Sequence, residues 1–564
     1  LDILSVLGKT LDFYGGTGAF SLSAFEEWLQ TAESAKSSFS VIRKWVPASF
    51  TKTPAKVADE FLHALKRVRP ASEDELEASE QSLIEFLFSR GFLPSYAFPR
   101  DLCALQIEGP SDRSRGFTKV NIIQRPQQGL NIALSEYAPG RFVVVDKKTY
   151  RVGTVAASSS RAIENRAARL FSERRYYVYC PACEFTPGFR HSEPSGEGCP
   201  LCGESALRAR TVIVPQVVFP AGGREVDEHD DEQVFTNATS AQLSVPDDSN
   251  FNWKQFGKNG QLAFERNQQL VMVNKGEEEN GQHDGFLVCN QCGRTAVNDN
   301  DVGAHTRDYH ISGRTPATRC QGQYERVYLG YSFNSDSLLL RIPLGDDLRF
   351  DPVARTERAP ISDAVQSLAE ALVLGIGREL DIDMREINAG FRFLRVGNKN
   401  FADIFVYDTL SGGAGYATQA GVAMDNVIEK VESLLTDCDC SSSCNKCLRH
   451  YGNRFHHAIL DRMLALDLLR YIKDGVLPAM PSIEEQRSTL RPVIEMLQLA
   501  GWEIAYTNSV PVTATNSNGN TVELFSYPSL VRPAHYGYVV ARDKFAFSHY
   551  ELSRDLPGVY GVIA

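Results

Sequence analysis

Hydrophobic and polar positions recur with different periods along this chain, and the changes of period define the predicted elements. In the first hundred residues apolar side chains recur at helical spacing, for example between Leu76 and Phe88, so this region is predicted to be helical. Residues 72–75 (SEDE) fit a capping box before that helix, and Gly91 is predicted to end it. The run at 92–99 (FLPSYAFP) predicts an extended connector, because proline disfavours helix for itself and for the residue before it.

From about residue 110 to 155 the period shortens to two. The run at 141–146 (RFVVVD) lies between turn signals at 139–140 and 147–148, which predicts a small antiparallel sheet or barrel. A helical stretch rich in arginine is predicted next. The acidic residues at 225–232 and 277–279 are interpreted as solvated loops.

The second half of the chain returns to longer periods. An amphipathic helix is predicted at about 361–380, and a strand at 404–407 (IFVY) runs into a glycine-rich turn and a further helix. Towards the end, one helix is predicted at 490–500, followed by a strand-like run at 536–540 (YGYVV).

Composition narrows the classes of protein that this pattern fits. The chain has 564 residues, so several domains are expected. Its net charge of -11 argues against nonspecific coating of nucleic acid and restricts any such contact to a local basic surface. No apolar run approaches the length of a membrane span, so no membrane role is expected. The first residue is Leu1 and no secretory signal follows it, so we interpret the chain as a fragment of a longer or processed protein.

Cysteine usage indicates metal binding. Eleven of the twelve cysteines fall within three short stretches, a distribution typical of metal sites in a reducing compartment, so a cytoplasmic location is expected. The first set is Cys180, Cys183, Cys199 and Cys202, two Cys-x2-Cys pairs separated by fifteen residues. Their thiolates could close a tetrahedron around zinc. A redox role for either pair is disfavoured, because that motif normally occurs once and beside a βαβ unit.

The second set supplies three thiolates and one imidazole. It consists of Cys289, Cys292 and Cys320 with either His305 or His310. We favour His305, because the twelve residues between it and Cys292 are enough to form an unstrained loop.

The third set packs Cys438, Cys440, Cys444 and Cys447 into ten residues. A shared metal would hold all four as thiolates and would fix a loop that buries little apolar surface. Zinc is the favoured ion, and an iron–sulfur cluster is the alternative, since four cysteines also satisfy its ligand count. Two or three zinc ions are therefore expected, each structural because four protein ligands leave no open position.

Together these features predict an α+β, multidomain protein. It has a helical N-terminal region, a small β-barrel or sheet domain, zinc ribbons, and an α/β domain carrying the four-cysteine zinc module. The predicted units are a helical region at 1–108, a small β domain with a basic helix at 109–178, a four-cysteine ribbon at 179–215, a β-rich region with the second zinc site at 216–345, the α/β domain at 346–480, and an α/β extension at 481–564.

Motifs for nucleotide binding do not appear. The run Gly8-Lys9-Thr10 ends like a phosphate-binding loop, but Ile3 stands where the first glycine is required. The glycine-rich run at 411–416 has Thr418 at the third glycine position of a dinucleotide fingerprint, so a tight turn is favoured. No catalytic residue is assigned in this chain.

Two sets of charged residues offer further chemistry. Asp383, Glu386 and Asp408 could form a magnesium nuclease site, although acidic residues at helix ends and turns are usually caps. Two groups of arginines could contact DNA phosphates, the alternatives being a solvated helix face for the first and packing around the metal loop for the second. The first group is Arg161, Arg166, Arg169, Arg174 and Arg175, and the second is Arg449 and Arg454, with His456 beside them.

Four stretches carry a resemblance to a known family. They are residues 92–99, 133–140 (ALSEYAPG), 407–416 (YDTLSGGAGY) and 447–462 (CLRHYGNRFHHAILDR), and they span most of residues 60–470. In these stretches the chain resembles the region behind the motor domains of MrfA-type superfamily-two DNA helicases, which carries a four-cysteine zinc-binding module. The size and the additional cysteine sets look like the anti-phage defence branch, such as the DrmA-like helicase subunit of the DISARM system.

The resemblance implies the carboxy-terminal part of an ATP-dependent DNA helicase or translocase in anti-phage defence or DNA repair. Its partners would be DNA and another protein subunit of a defence complex. ATP and Mg²⁺ would bind only to motor lobes that would lie before Leu1. The alternatives are a motor-free zinc scaffold that binds a separate helicase subunit and, less favoured, a metal-dependent nuclease.

Overall fold

The computed structural model describes most of the chain from residue 101 to 563. Gaps fall at 110–111, 115–116, 159–164, 227–232, 245–250, 280–281, 284, 297–303, 312–318 and 539–542. Nearer the N-terminus it describes residues 10–16, 21–31 and 54–67 and the single positions 83, 86 and 87. The predicted capping box at 72–75 and the extended run at 92–99 lie outside the described residues.

Helices and strands both occur throughout, so the predicted α+β class is confirmed. The helices are α1 (Thr10–Gly15), α2 (Leu22–Thr31), α3 (Pro54–Arg67), α4 (Leu130–Glu136), α5 (Ala168–Ser172), α6 (Arg355–Leu380), α7 (Tyr416–Val422), α8 (Met424–Thr436), α9 (Arg462–Asp474), α10 (Ile483–Leu499), α11 (His549–Arg554) and α12 (Leu556–Ile563).

The strands are short except for two that run through the largest sheet. They are β1 (Leu102–Leu105), β2 (Ile107–Glu108), β3 (Asp112–Ser114), β4 (Phe117–Lys119), β5 (Ile122–Gln124), β6 (Gln127–Gly129), β7 (Phe142–Val145), β8 (Lys148–Ala156), β9 (Arg175–Tyr179), β10 (Gly188–Arg190), β11 (Arg208–Ile213), β12 (Val217–Pro220), β13 (Gln242–Leu243), β14 (Lys254–Phe256), β15 (Gly260–Asn274), β16 (Glu278–Glu279), β17 (Gln282–His283), β18 (Phe286–Cys289), β19 (Thr295–Ala296), β20 (His305–Thr306), β21 (Arg319–Cys320), β22 (Tyr324–Leu344), β23 (Ile387–Val396), β24 (Lys399–Asp408), β25 (Glu503–Ala505), β26 (Val512–Thr515), β27 (Thr521–Tyr527) and β28 (Lys544–Ser548).

The N-terminal helices have a small core of their own. Phe13 and Tyr14 of α1 are buried with Leu65 of α3, and the Tyr14 hydroxyl donates to the Leu65 carbonyl at 3.0 Å. The described part of this region is therefore helical, as its apolar spacing predicts.

Two sheets form the centre of the protein. The first has five strands in the order β6-β1-β12-β8-β7, and it contains the predicted strand at 141–146 as β7. The second has eleven strands, and β22 pairs with more of them than one neighbour on each side. Residues 324–329 of β22 pair with β18 and β11, and residues 337–344 pair with β24. β15 pairs antiparallel with β22 over most of its length.

Helix α6 lies against the sheet and is buried on nearly all sides. Ile361, Leu368 and Ile376 of this helix share a core with Ile342 of β22 and Ile404 of β24. Among the described residues α6 alone is long and apolar enough to cross a membrane, but 89% of its most apolar stretch is buried inside the protein. That burial is typical of a core helix. The predicted cytoplasmic location stays a prediction.

The last described residues form a separate layer. The mixed sheet β25-β26-β27-β28 packs with α10, α11 and α12 around its own core, and β27 and β28 run parallel. Arg349 joins this layer to the rest: its guanidinium contacts Glu357 at 3.0 Å, Glu551 at 2.8 Å and the Ser548 hydroxyl at 2.9 Å.

Two local predictions are wrong. The arginine-rich helix is shorter than predicted, since α5 covers only Ala168–Ser172 and Arg175 already begins β9. In the predicted strand at 536–540, the described part is the end of a 3₁₀ turn, Pro533–Tyr536, closed by Gly537 at φ 76°. The domain boundaries stay predictions, although the largest sheet takes strands from residue 175 to residue 408.

Candidate metal centres

The first centre joins two knuckles that project from β9 and the loop before β11. In each knuckle the chain turns back by a hydrogen bond to the carbonyl of the leading cysteine, from Glu184 N–H to Cys180 and from Gly203 N–H to Cys199. Glu184 and Gly203 adopt left-handed φ values of 64° and 72°, which suits glycine better than glutamate.

The sulfur positions of this centre fit zinc. The Cys180–Cys202 and Cys183–Cys199 pairs have Sγ–Sγ distances of 3.7 and 3.5 Å, and all four sulfurs lie within 4.8 Å of one another. A tetrahedron with Zn–S bonds of about 2.3 Å has edges of about 3.8 Å. Three of these cysteines are buried, and a shared metal ion would hold all four sulfurs as thiolates at this separation.

The second centre is assembled from three pieces of chain. Cys289 ends β18, Cys292 follows in the knuckle, and the pairing of β20 with β21 sets His305 directly opposite Cys320. The Cys292 Sγ lies 3.1 Å from His305 Nε2, and the Cys289 Sγ lies 3.8 Å from the Cys320 Sγ. All four side chains are buried.

A glycine makes the second centre fit against the first sheet. Gly293 has a φ of 86°, and a Cβ at this position would lie 1.9 Å from the Val155 carbonyl oxygen of β8. Its N–H also closes the knuckle by donating to the Cys289 carbonyl at 2.9 Å. The knuckle can therefore approach the sheet only with glycine here.

The two candidate histidines take different positions. His305 joins the three cysteines, whereas His310 is exposed and its backbone N–H and imidazole contact Glu108 at 2.7 and 3.1 Å. The structure thus brings His305, the favoured candidate, to the site. Its assignment as a ligand stays a prediction.

The third centre is a loop between α8 and the 3₁₀ turn Tyr451–His456. Its sulfurs are 3.5 Å apart for both Cys438–Cys440 and Cys438–Cys444, and 3.7 Å for Cys440–Cys447. Three of the four are only half-buried, so this centre is the most accessible to solvent. The Lys446 N–H donates to the Cys444 sulfur and lowers the pKa of that thiol, whereas burial raises the pKa of Cys440 and Cys447.

Two residues that sequence reasoning left without a role hold this loop. Arg462, the first residue of α9, donates to the carbonyls of Cys440 at 2.8 Å and Leu435 at 2.9 Å. Glu370 of α6 is buried and accepts from Asn453 at 3.0 Å, with His450 at 3.4 Å. The loop and the turn after it are thus tied to two core helices.

The structure disperses the first group of arginines. Arg161 lies outside the described residues, and Arg166 stacks on the rings of Phe219 and Tyr309. Arg169 pairs with Glu173 at 2.8 Å and Arg174 with Glu325 at 3.5 Å. Arg175 contacts His191, and burial lowers its pKa. These four side chains have protein partners.

The second group lies beside the third centre. Arg449 donates to the Ser443 hydroxyl at 2.8 Å. Arg454 lies between two aromatic rings, and no carboxylate pairs with it among the described residues. It is therefore the better placed of the candidates to meet a phosphate.

The acidic nuclease candidates do not form a metal site. The Asp408 carboxylate is fully buried and accepts the backbone N–H groups of residues 414–417 at 2.6 to 3.2 Å, so it caps the start of α7. Asp383 pairs with Arg385 at 2.8 Å, which lowers its pKa to about 2. Among the described residues, only the three cysteine-containing sets come together as potential metal sites.

An α+β fold with three such donor sets defines a protein with three sites that could hold zinc. Residues 368–448, which include the third centre, match the model of the family described as MrfA Zn-binding domain. The chain is 36% identical to the Druantia protein DruE of Escherichia coli (strain UMEA 4076-1) over 98% of its own length and 32% of the relative. It thus spans about a third of that relative.

Similarity to solved structures is much weaker. The crystal structure of the DUF1998 helicase MrfA bound to DNA is 10% identical, with a TM-score of 0.33, over 73% of this chain and 39% of that one. A second crystal structure of MrfA is also 10% identical, with a TM-score of 0.25, over 69% and 40%. Neither score establishes a shared fold.

The predicted resemblance to MrfA-type proteins is confirmed in these terms: residues 368–448 match the MrfA Zn-binding domain, and the chain is similar to DruE over nearly its whole length. The narrower resemblance to the DISARM subunit stays a prediction.

Proposed function

We propose that this chain is the zinc-stabilised, DNA-contacting part of a helicase or translocase that acts in bacterial anti-phage defence. The observation that carries the proposal is the 36% identity to DruE, which extends over 98% of the chain. The MrfA Zn-binding domain at 368–448 supports the link to helicases. ATP and Mg²⁺ would act elsewhere in the whole protein, and contact with another defence subunit belongs to the same proposal.

Zinc would serve structure in this function. Each of the three sets offers four protein donors, which leaves no position for water or substrate on a tetrahedral ion. Bound zinc would crosslink pieces of chain that are distant in sequence, as at Cys289 and Cys320. The predicted ligands are the eleven clustered cysteines and His305.

The arginines beside the third centre are the proposed phosphate contacts. Arg169 and Arg174 are paired with carboxylates, and releasing them for DNA would expose those acids to the phosphates. Arg454 has no carboxylate partner among its described neighbours, so its contact with a phosphate would expose no acid. The Arg449 guanidinium donates to the Ser443 hydroxyl, which is uncharged. We therefore place the main contact at 449–454.

A binding titration tests this proposal. The zinc-loaded chain should bind DNA with an affinity that falls linearly in a plot of log K against log salt concentration. Changing both Arg449→Gln and Arg454→Gln should weaken binding and flatten that slope. Arg491→Gln, at an exposed arginine paired with Glu495 on α10, is the matched control and should change neither.

Metal analysis together with the binding titration separates the alternatives. Three zinc ions per chain without any DNA binding would overturn the proposal in favour of the motor-free scaffold. DNA binding with an unchanged slope in the Arg449/Arg454 variant would move the contact away from the third centre.

A further inference from the structure

Two aromatic side chains stand out of the 3₁₀ turn that follows the third centre. Tyr451 is 81% exposed and Phe455 is 57% exposed. Between them lies Arg454, whose guanidinium carbon is 4.6 Å from the Tyr451 ring centroid and 4.3 Å from the Phe455 ring centroid. The turn thus presents two flat rings and one cation to solvent.

The base of this turn is fixed while its rings are exposed. Asn453 is buried, and its amide donates to Glu370 at 3.0 Å and to the Leu448 carbonyl at 2.9 Å. The His457 ring contacts the His450 carbonyl and the Asn453 side chain, both at 3.0 Å. A rigid support under exposed rings reduces the entropy lost when a ligand binds to them.

The charge around the rings suits an anion. Arg454 has no carboxylate partner among the described residues, and Glu370 is buried beneath the turn, where Asn453 and Gln366 occupy its oxygens. The exposed face of the turn therefore carries one cation that no carboxylate pairs with among the described residues.

A cavity near this turn is lined by both arginines and acids. His456 lies 3.5 Å from the Ser240 hydroxyl, and Ser240 borders a cavity of about 470 Å³. Arg355, Arg358 and Arg392 line the same cavity with the acids Glu184 and Asp363. Arg358 pairs with Glu184 at 3.3 Å and Arg392 with Asp403 at 3.1 Å. These pairs offset most of the positive charge, so the cavity adds little to the charge of the turn.

We propose that Tyr451 and Phe455 are a stacking platform for unpaired bases of a single DNA strand, and that Arg454 contacts the phosphate between them. The proposal rests on the proposed function and adds the state of the DNA that is bound. Aromatic rings stack on bases of any sequence, but bases inside a duplex do not offer their faces. Stacking thus makes the surface selective for a single strand.

Ring removal separates stacking from charge. Tyr451→Ala with Phe455→Ala should weaken binding of a fluorescein-labelled oligothymidine by roughly tenfold or more, since each stacked base contributes about 1–3 kcal/mol. Binding of a blunt duplex of equal length should not change. The salt slope should also persist, whereas Arg454→Gln should lower it by about 0.7.

Tyr506→Ala is the matched control. Tyr506 is 55% exposed beneath Arg487 at 5.2 Å, so it is the same kind of pair on the C-terminal layer. This variant should bind the oligothymidine like the parent chain. Tyr451→Leu with Phe455→Leu keeps apolar bulk without a flat ring and should behave like the alanine pair.

The outcomes distinguish this proposal from the proposed function. If the parent chain binds no DNA, the proposed function fails. If it binds and the ring variants bind equally well, or lose single-strand and duplex binding alike, the platform is wrong and the proposed function stands. If leucine restores binding, the surface recognises apolar bulk, as a protein interface does, and stacking is refuted.

Photocrosslinking of the unmodified chain avoids any dependence on variant folding. An oligonucleotide carrying 5-iodouracil should crosslink to Tyr451 or Phe455, as read by mass spectrometry of the peptides. Crosslinks confined to other segments would overturn the platform. Equal zinc content of each variant checks that the third centre is intact.

Discussion

At the scale of single residues, the second centre offers the sharpest test. His305→Ala should lower the zinc content from three ions per chain to two, because the imidazole that lies 3.1 Å from Cys292 Sγ is removed. His310→Ala is the matched control and should retain all three, since its imidazole contacts Glu108 at the surface. Metal analysis of both purified variants decides this; loss of zinc only from the His310 variant would reverse the assignment.

Spacing along the chain is informative for residues that act with near neighbours. The Cys-x2-Cys pairs could be recognised because each knuckle closes within a few residues, and the structure brings all three predicted sets together. Glu370 could not be recognised, because its partner Asn453 is 83 positions away in sequence. Asp408 was a metal candidate in sequence, and only the four backbone N–H groups around it show that it is a helix cap.

At the scale of elements, the three centres differ in how well the chain protects them. The second set is wholly buried, whereas three cysteines of the third are half-buried in a loop that Arg462 holds from one side. A chelator should therefore remove the third zinc severalfold faster than the other two. The kinetics of zinc release, followed with a metallochromic dye, should show one fast and two slow equivalents.

Arg462→Ala is the variant that identifies the fast equivalent. It removes two hydrogen bonds to the backbone of the cysteine loop, so it should accelerate only the fast phase. Arg491→Ala, at an exposed arginine of α10 that pairs with Glu495, should leave all phases unchanged. Release of all three ions in a single phase would contradict this ranking.

Periodicity predicted elements where one face is buried by neighbours in the same layer. The strand at 404–407 lies within β24, and the helix at 490–500 coincides with the second half of α10, which ends one residue earlier, at Leu499. Periodicity gave the wrong element where pairing with distant strands overrides the local preference for helix. Arg175 extends an arginine-rich segment that looks helical, yet β10 and β11 pair with both edges of β9 and hold the chain extended.

At the scale of the whole molecule, the long strands β15 and β22 combine regions that the sequence separates. Their pairing joins residues 261–274 to residues 329–341, and a buried ion pair on β22 and β24, Arg341 with Asp403 at 2.7 Å, lies within the same sheet. Boundaries drawn from local composition cannot reveal such pairing, because it depends on contacts between distant segments. The first two cysteine sets therefore lie at strands of one sheet, whereas the third lies in the loop after α8.

Arg349 connects that sheet to the C-terminal layer, and its removal should loosen the layer as a unit. Arg349→Ala leaves Glu357 and Glu551 without their shared cation. Since these carboxylates are 37% and 34% exposed, we expect the free energy of unfolding to fall by about 3 kcal/mol, which is the lower end of the range for breaking a buried ion pair. Limited proteolysis should then cut near residues 476–481 well before the rest of the chain.

Arg491→Ala on the same layer is the control. It should lower the free energy of unfolding by less than about 1 kcal/mol, because the pair that Arg491 forms with Glu495 is exposed. If both variants resist protease equally, the layer is held by its apolar contacts, such as Leu530 and Val531 against the α6 core, and the Arg349 cluster adds only local order.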